Sequence, residues 1–237
     1  PLVRGALGAD RAVVGTDVVP NLTKELPGGG PIRDAVAAHD PHAIFMPACV
    51  GTMFGSDHAC GTGVGGAVRA LAEAAGLRLR TPDGIRELCC GTPWKSKGLT
   101  KGYETMTDKV AEWAVAATDN GALPLVCDNV SCSEGVEIAL RHRGITGITV
   151  LDATQWVAEQ VAPKLPPLPK APVAVLHPTC SSTLMGVNDY LTFLAGLVAD
   201  EVIVPQGWRC CAFAGDRGLL HEELTATSTQ DEARHAR

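Results

Sequence analysis

Two pairs of adjacent cysteines hold the chemistry available to this chain. The first lies in Glu87-Leu88-Cys89-Cys90-Gly91-Thr92-Pro93-Trp94-Lys95-Ser96-Lys97-Gly98. Such a pair makes a poor staple, because consecutive Cα atoms are about 3.8 Å apart whereas an unstrained disulfide spans roughly 4.4–6.8 Å. Neighbouring thiols in a turn suggest a metal instead. Lys95, Lys97 and Lys101 follow closely, and cations at that position could stabilise thiolates or a net-negative metal–sulfur cluster. The plainer alternative is a pair of small buried hydrophobes. A second copy weighs against it: Trp208-Arg209-Cys210-Cys211-Ala212-Phe213-Ala214-Gly215-Asp216-Arg217-Gly218-Leu219 again sets a cysteine pair ahead of a basic residue, glycine and leucine. Each pair also has an upstream partner. Pro47-Ala48-Cys49 and Pro178-Thr179-Cys180 both close apolar runs, with Gly55 and Gly186 six residues beyond. The chain therefore contains an internal repeat.

The elements that must position these thiols follow from hydrophobic patterning. Ala43–Met46 reads as a short buried parallel strand, which places Cys49 just past a strand's carboxyl end, where sites form in open α/β sheets. A helix is expected over Ala67–Ala75 and a return strand over Leu77–Arg80. Further on come a helix over Asp108–Ala117, a strand over Pro124–Cys127, a helix over Ser133–Arg141 and a strand over Gly147–Leu151. The proline-rich run Lys164–Pro172 is a stiff connector. Val173–His177 then opens the second unit, with a helix over Asn188–Val198 and a strand over Val202–Val204. Strands alternating with helices imply α/β layers: two pseudo-repeated Rossmann-like units with small parallel sheets and cysteines at the strands' carboxyl ends. Residues 1–42, with a short helix over Ile32–Ala38, read as a connector from upstream domains. The first unit spans 43–162, the linker 163–172 and the second, truncated unit 173–237. In a parallel sheet Cys49, Cys89, Cys90 and Cys132 converge on one crevice, with Cys127 able to replace or supplement Cys132.

Composition narrows the function. The chain has 237 residues, a net charge of −6 and only 4% aromatics. An aliphatic core is therefore expected, and nucleic acid is disfavoured as a partner by the lack of a basic stripe. No apolar run reaches the roughly 18 residues of a membrane span, and Pro1-Leu2-Val3-Arg4 does not start a signal peptide. Nine cysteines without a regular framework favour a reducing cytosol. A start at Pro1 and a stop at Arg237 inside a polar stretch suggest a fragment.

Rival chemistries fit less well. Structural zinc sites commonly pair cysteines two to four residues apart, and no Cys-x-x-Cys occurs here. That absence also disfavours a thioredoxin-like pair and ordinary ferredoxin runs. His177 stands three residues before Cys180 and reads as a held structural residue rather than a base. Gly61-Thr62-Gly63-Val64-Gly65-Gly66 contains G-x-G-x-x-G but does not directly follow its strand, so it reads as a glycine loop. Cys60 reads as a plain loop cysteine. Asp216-Arg217 reads as an ion pair holding the second turn, with anion binding as the alternative.

The units Pro-Ala-Cys49…Cys89-Cys90-Gly91 and Pro-Thr-Cys180…Cys210-Cys211 resemble the cysteine-rich CCG domain shared by heterodisulfide reductases and the iron-sulfur component of glycolate oxidase. Residues 88–98, 177–182 and 213–226 look most like the C-terminal part of FAD-linked D-lactate (D-2-hydroxyacid) dehydrogenases, and the similarity covers nearly the whole chain. The resemblance implies an oxidoreductase module that carries electrons through a 4Fe-4S cluster from reduced FAD, held in an upstream flavin domain or a separate subunit, to a quinone or cytochrome acceptor. It implies a location in the cytoplasm or peripheral at the inner face of the membrane, and no turnover of D-lactate by the fragment alone. Cys49, Cys89, Cys90 and Cys132 would ligate one cluster; Cys180, Cys210 and Cys211 would contribute to a second site, with Lys95, Lys97 and Arg217 as anion or cluster neighbours.

The family pattern closes each unit with Cys-x-x-Cys, whereas here Asn129-x-x-Cys132 keeps one cysteine, and the second unit lacks its closing cysteines. Ala212 also replaces the counterpart of Gly91, narrowing the freedom of that turn. Two alternatives stand beside this reading: an iron-sulfur subunit of a lactate or glycolate oxidase complex, and a structural zinc or thiol interaction module.

Overall fold

The computed structural model describes residues 2–23, 26–56 and 61–236, so the reading of Cys60 lies outside the described residues. In chain order the elements are α1 (Leu2–Val14), β1 (Ala43–Met46), α2 (Val50–Met53), α3 (Gly63–Ala74), β2 (Leu79–Arg80), α4 (Thr92–Ser96), α5 (Thr100–Ala117), β3 (Leu125–Cys127), α6 (Val130–His142), β4 (Val150–Asp152), α7 (Ala153–Trp156), β5 (Ala171–Val175), α8 (Cys180–Leu184), α9 (Asn188–Val198), β6 (Ala199–Ile203), α10 (Arg217–Leu220) and α11 (Glu222–His235). The fold is α/β with small parallel sheets.

The larger sheet is entirely parallel, in the order β2-β1-β3-β4. Ile44 pairs with Leu125 and Met46 with Cys127, which sets the ends of β1 and β3 level. The chain leaves β1 toward β2 on one side, and β3 joins on the other. The carboxyl ends of β1 and β3 thus flank a topological switch point, the place where open α/β sheets form crevices.

Side chains on a strand alternate between faces, and β1 divides accordingly. Ile44 and Met46 enter a core cluster with Val110 and Ala114 of α5 and Val136 of α6. Ala43 and Phe45 enter the opposite cluster with Val68 and Ala72 of α3 and Trp156 of α7. Alanines at helix–sheet contacts and aliphatic strands fill both layers, as the scarcity of aromatics leads one to expect. Asp152 ends β4 and caps α7, accepting from the Thr154 amide at 2.8 Å.

The second sheet pairs β5 with β6 in parallel, Val173 opposite Glu201 and Val175 opposite Ile203. It begins at Ala171, inside the expected connector, and tolerates Pro172 because a two-stranded sheet has a free edge for a residue without an N–H. The helix expected over Asn188–Val198 spans those residues, as α9.

Residues 1–42 differ from the expectation. They begin with the helix α1 and have none over Ile32–Ala38. Val36 there forms an antiparallel bridge with Thr81, a long-range pairing that overrides local preference. Arg11 of α1 donates to the Leu220 carbonyl at 2.7 Å, and the Asn21 amide donates to the Leu219 carbonyl at 2.6 Å. This segment therefore makes long-range contacts with Thr81 and with the 219–220 stretch.

A candidate thiol centre at the strand ends

Three strand exits deliver the first group of thiols. Cys49 stands at the start of α2, two residues past the Pro47 that breaks β1. Cys89 and Cys90 follow β2 after the short turn Ile85–Glu87. Cys132 lies in the first turn of α6, whose cap Asn129 accepts from the Ser131 amide at 3.1 Å and from the Ser131 hydroxyl at 2.6 Å. Asn129, three residues before Cys132, therefore serves as a helix cap.

Two polar groups fasten these loops together. Arg33 donates to the Pro47 carbonyl at 3.1 Å and to the Leu88 carbonyl at 2.7 Å, bridging the residues ahead of Cys49 and Cys89. The Ala48 amide donates to Asp128 Oδ1 at 2.6 Å, joining the exit of β1 to that of β3. Sequence reading missed both side chains, since each acts on partners distant along the chain.

The four thiols interact in a continuous series, Cys49 with Cys89, Cys89 with Cys90 and Cys90 with Cys132, the members of each pair shifting one another's proton affinity. A hydrogen bond from Cys89 brings Cys49 down to about 6, against burial, with help from the charge of Arg33. Hydrogen bonds from Cys132 and Cys89 lower Cys90 strongly, and Cys90 Sγ also lies 3.4 Å from Thr92 Oγ1. Cys89 is raised because its proton is shared with Cys49 and Cys90. Cys132 is raised by its bond to Cys90 and then by burial. Lowered and raised members thus alternate along the series, each lowered one beside a neighbour whose thiol favours its charged form. Cys127 stands apart: it is fully buried in β3, and burial raises it. Of the two candidates in that loop, Cys132 is the one beside Cys90.

Close approach of α6 permits this contact. A Cβ at Gly135 would lie 2.7 Å from the Cys90 carbonyl oxygen and 2.9 Å from Thr92 Oγ1, so only glycine lets the helix reach the cysteine turn. Gly91 bends that turn in the left-handed region, with φ +86°.

The second group repeats the arrangement nearer the surface. Cys180 opens α8 and is exposed, as is Cys210. The Ala212 amide donates to Cys210 Sγ at 3.4 Å, which with a bond from Cys180 lowers Cys210; the same bond raises Cys180. Cys211 reaches Cys180 by charge alone. Helix α11 clamps this loop: Ser228 Oγ donates to the Cys210 carbonyl, and Arg209 pairs with Asp231 at 3.3 Å. His177 Nδ1 lies 2.7 Å from Glu232, held as a structural residue. Trp208 Nε1 donates to the Pro178 carbonyl at 2.7 Å.

The lysines behave differently from expectation. Lys95, Lys97 and Lys101 are exposed, and Arg33, not a lysine, is the cation among the leading causes of a thiol shift. Lys97 Nζ instead pairs with Asp216 at 2.6 Å. The ion pair read at Asp216 therefore forms with Lys97 and not with the adjacent Arg217, joining the loops that follow the two cysteine pairs. α8 also packs on α6, so the thiol groups sit on touching elements.

Among the described residues no three Cys, His, Asp or Glu side chains are arranged to hold a metal ion. A lone ion needs its ligands around one point, whereas the thiolates of an iron-sulfur cluster each take a different iron. A sulfur-only series drawn from three strand ends, with thiolates already favoured and a guanidinium near, has the donor chemistry of the second case. Comparison of the chain with protein-family models, curated proteins and solved structures finds no match.

Proposed function

We propose that this chain is an iron-sulfur electron-transfer module, the cysteine-rich part of a flavin-dependent D-lactate or D-2-hydroxyacid dehydrogenase. The observation behind this reading is the contact series Cys49–Cys89–Cys90–Cys132, four sulfur donors delivered by separate strand ends. These residues would hold a 4Fe-4S cluster, which when bound supplies one-electron transfer. The chain's own contribution is positional. Arg33 holds the Cys49 and Cys89 loops together and places a positive charge beside the sulfurs, Gly135 admits α6, and burial of Cys90 and Cys132 limits water.

Cys180, Cys210 and Cys211 are a second, more open group that receives or relays electrons in the same scheme. The reductant is a flavin held by another domain or subunit, and the acceptor a quinone or cytochrome in the cytoplasm or at the inner face of the membrane. Among the described residues no helix is long and apolar enough to cross a membrane. An iron-sulfur subunit of a lactate or glycolate oxidase complex would use the same thiols with a separate flavoprotein.

The test is iron and acid-labile sulfide after anaerobic reconstitution. The native chain is expected to retain about four irons, a Cys90→Ser variant to lose them, and a Cys211→Ser variant to keep them. A folded native chain that takes up no iron overturns the proposal.

A further inference from the structure

On the side of the β1 exit away from the cysteine pair lies a cavity of about 440 Å³ at the switch point between β1 and β3. Its size falls in the range of small-molecule sites, roughly 300–1,000 Å³, and among the described residues no thiol lines it. Apolar walls come from Ile32, Phe45 and Val64, and charged groups from Arg33, Arg69 and Asp128. The stretch Gly61–Gly66, read from sequence as a glycine loop, supplies the opening turn of α3 at its edge.

The two guanidiniums on the wall are differently engaged. Arg69 lies over the Phe45 ring at 4.8 Å and donates to the Leu79 carbonyl and the Thr81 hydroxyl. Arg33 donates only to carbonyls. Among the described residues neither guanidinium forms an ion pair with a carboxylate, and the other acid on the wall, Asp34, is paired with Arg86. Arg33 already stands beside Cys49, so among the described residues Arg69 is the lining cation left for a ligand. Burial lowers Arg69 and raises Asp128, so both ions lack solvation that a ligand could provide.

We propose that this cavity binds a small organic monoanion, a carboxylate on an apolar body, with the carboxylate at Arg69 and the body against Ile32, Phe45 and Val64. Arg69 selects an anion, and Asp128 on the same wall selects a single negative charge. A phosphate monoester brings close to two negative charges at neutral pH and would set the second beside Asp128.

The test is calorimetric titration of the whole chain with benzoate, its neutral isostere benzamide and inorganic phosphate, repeated with Arg69→Gln and Val64→Trp. Val64 is 66% exposed, so a tryptophan there blocks the cavity without entering the core, and it carries the test if the Arg69 variant does not fold. Saturable benzoate binding is expected, weakened about tenfold or more by loss of the charged hydrogen bond in Arg69→Gln and abolished by Val64→Trp, with benzamide and phosphate weaker than benzoate. Absence of saturable benzoate binding, equal binding of benzamide, tighter binding of phosphate, or an undiminished affinity in Val64→Trp overturns it.

Discussion

Lys97 Nζ and Asp216 Oδ1 stand 2.6 Å apart, tying the loop after the first cysteine pair to the loop after the second. Both side chains are about half exposed, at 49% each, and an exposed pair of this kind contributes about 0–1 kcal/mol. Lys97→Ala is therefore expected to lower unfolding free energy by less than about 1 kcal/mol, with the difference fading in high salt. The thiolate absorbance titration is expected to be unchanged. A shift of that titration would return Lys97 to the role that its sequence position suggested.

Gly91 and Ala212 occupy equivalent turns, and both have left-handed backbones, φ +86° and +57°. An L side chain there costs roughly 1–2 kcal/mol, and a Cβ at Gly91 would also meet the Tyr103 ring at 3.1 Å. Gly91→Ala is expected to destabilise by about 1–2 kcal/mol. Ala212→Gly relieves the same strain but frees the unfolded chain by about 0.5–1 kcal/mol, so it is expected to stabilise by about 0–1.5 kcal/mol. Urea denaturation of the two variants measures this asymmetry.

Thiolate absorbance of the metal-free chain is expected to show Cys49 titrating near pH 6. The larger cause is the hydrogen bond from Cys89 and the smaller the charge of Arg33. Cys89→Ala is therefore expected to raise Cys49 further than Arg33→Gln does. Because the folded value is below the unfolded one of 9.0, the unfolded chain binds more protons between about pH 6 and pH 9. The contribution of Cys49 is complete above that window and is lost as pH falls through 6. Cys89 and Cys132 are raised and act in the opposite sense: their contribution is present below the unfolded value and lost as pH rises through the folded one.

Gly135→Ala is expected to push α6 away from the Cys90 turn and cost about 1–3 kcal/mol, the range for overpacking a closed contact. It should also bring Cys90 back toward an ordinary thiol, because its bond to Cys132 is the leading cause of its lowered value. Absorbance titration and urea denaturation of one sample check both effects. An unperturbed Cys90 titration would separate the helix approach from the thiol chemistry.

Strand and helix placement was legible wherever the pattern was local. Ala43–Met46 is an unbroken apolar run and forms β1, and the amphipathic Asn188–Val198 is α9. Cysteines at strand ends were legible for the same reason, because a parallel sheet places successive strand exits on one edge. What escaped was set by partners far along the chain. Val36 pairs with Thr81 in place of joining a helix, Arg33 bonds carbonyls beside Cys49 and Cys89, and Gly135 matters only because the Cys90 turn lies against it. Lys97 misled for the converse reason: closeness in sequence to Cys90 did not turn its charge toward the thiol, since Asp216 offers a direct carboxylate partner.

The Cys49–Cys89–Cys90–Cys132 series is proposed to hold a redox-active iron-sulfur centre. Low-temperature electron paramagnetic resonance of the anaerobically reconstituted chain, oxidised and dithionite-reduced, beside a Cys89→Ser/Cys90→Ser variant, tests this. An iron-sulfur signal that changes with redox state is expected in the native chain and none in the variant. A native chain that stays silent in both states while folded and iron-free, or one with a signal that survives in the variant, contradicts it.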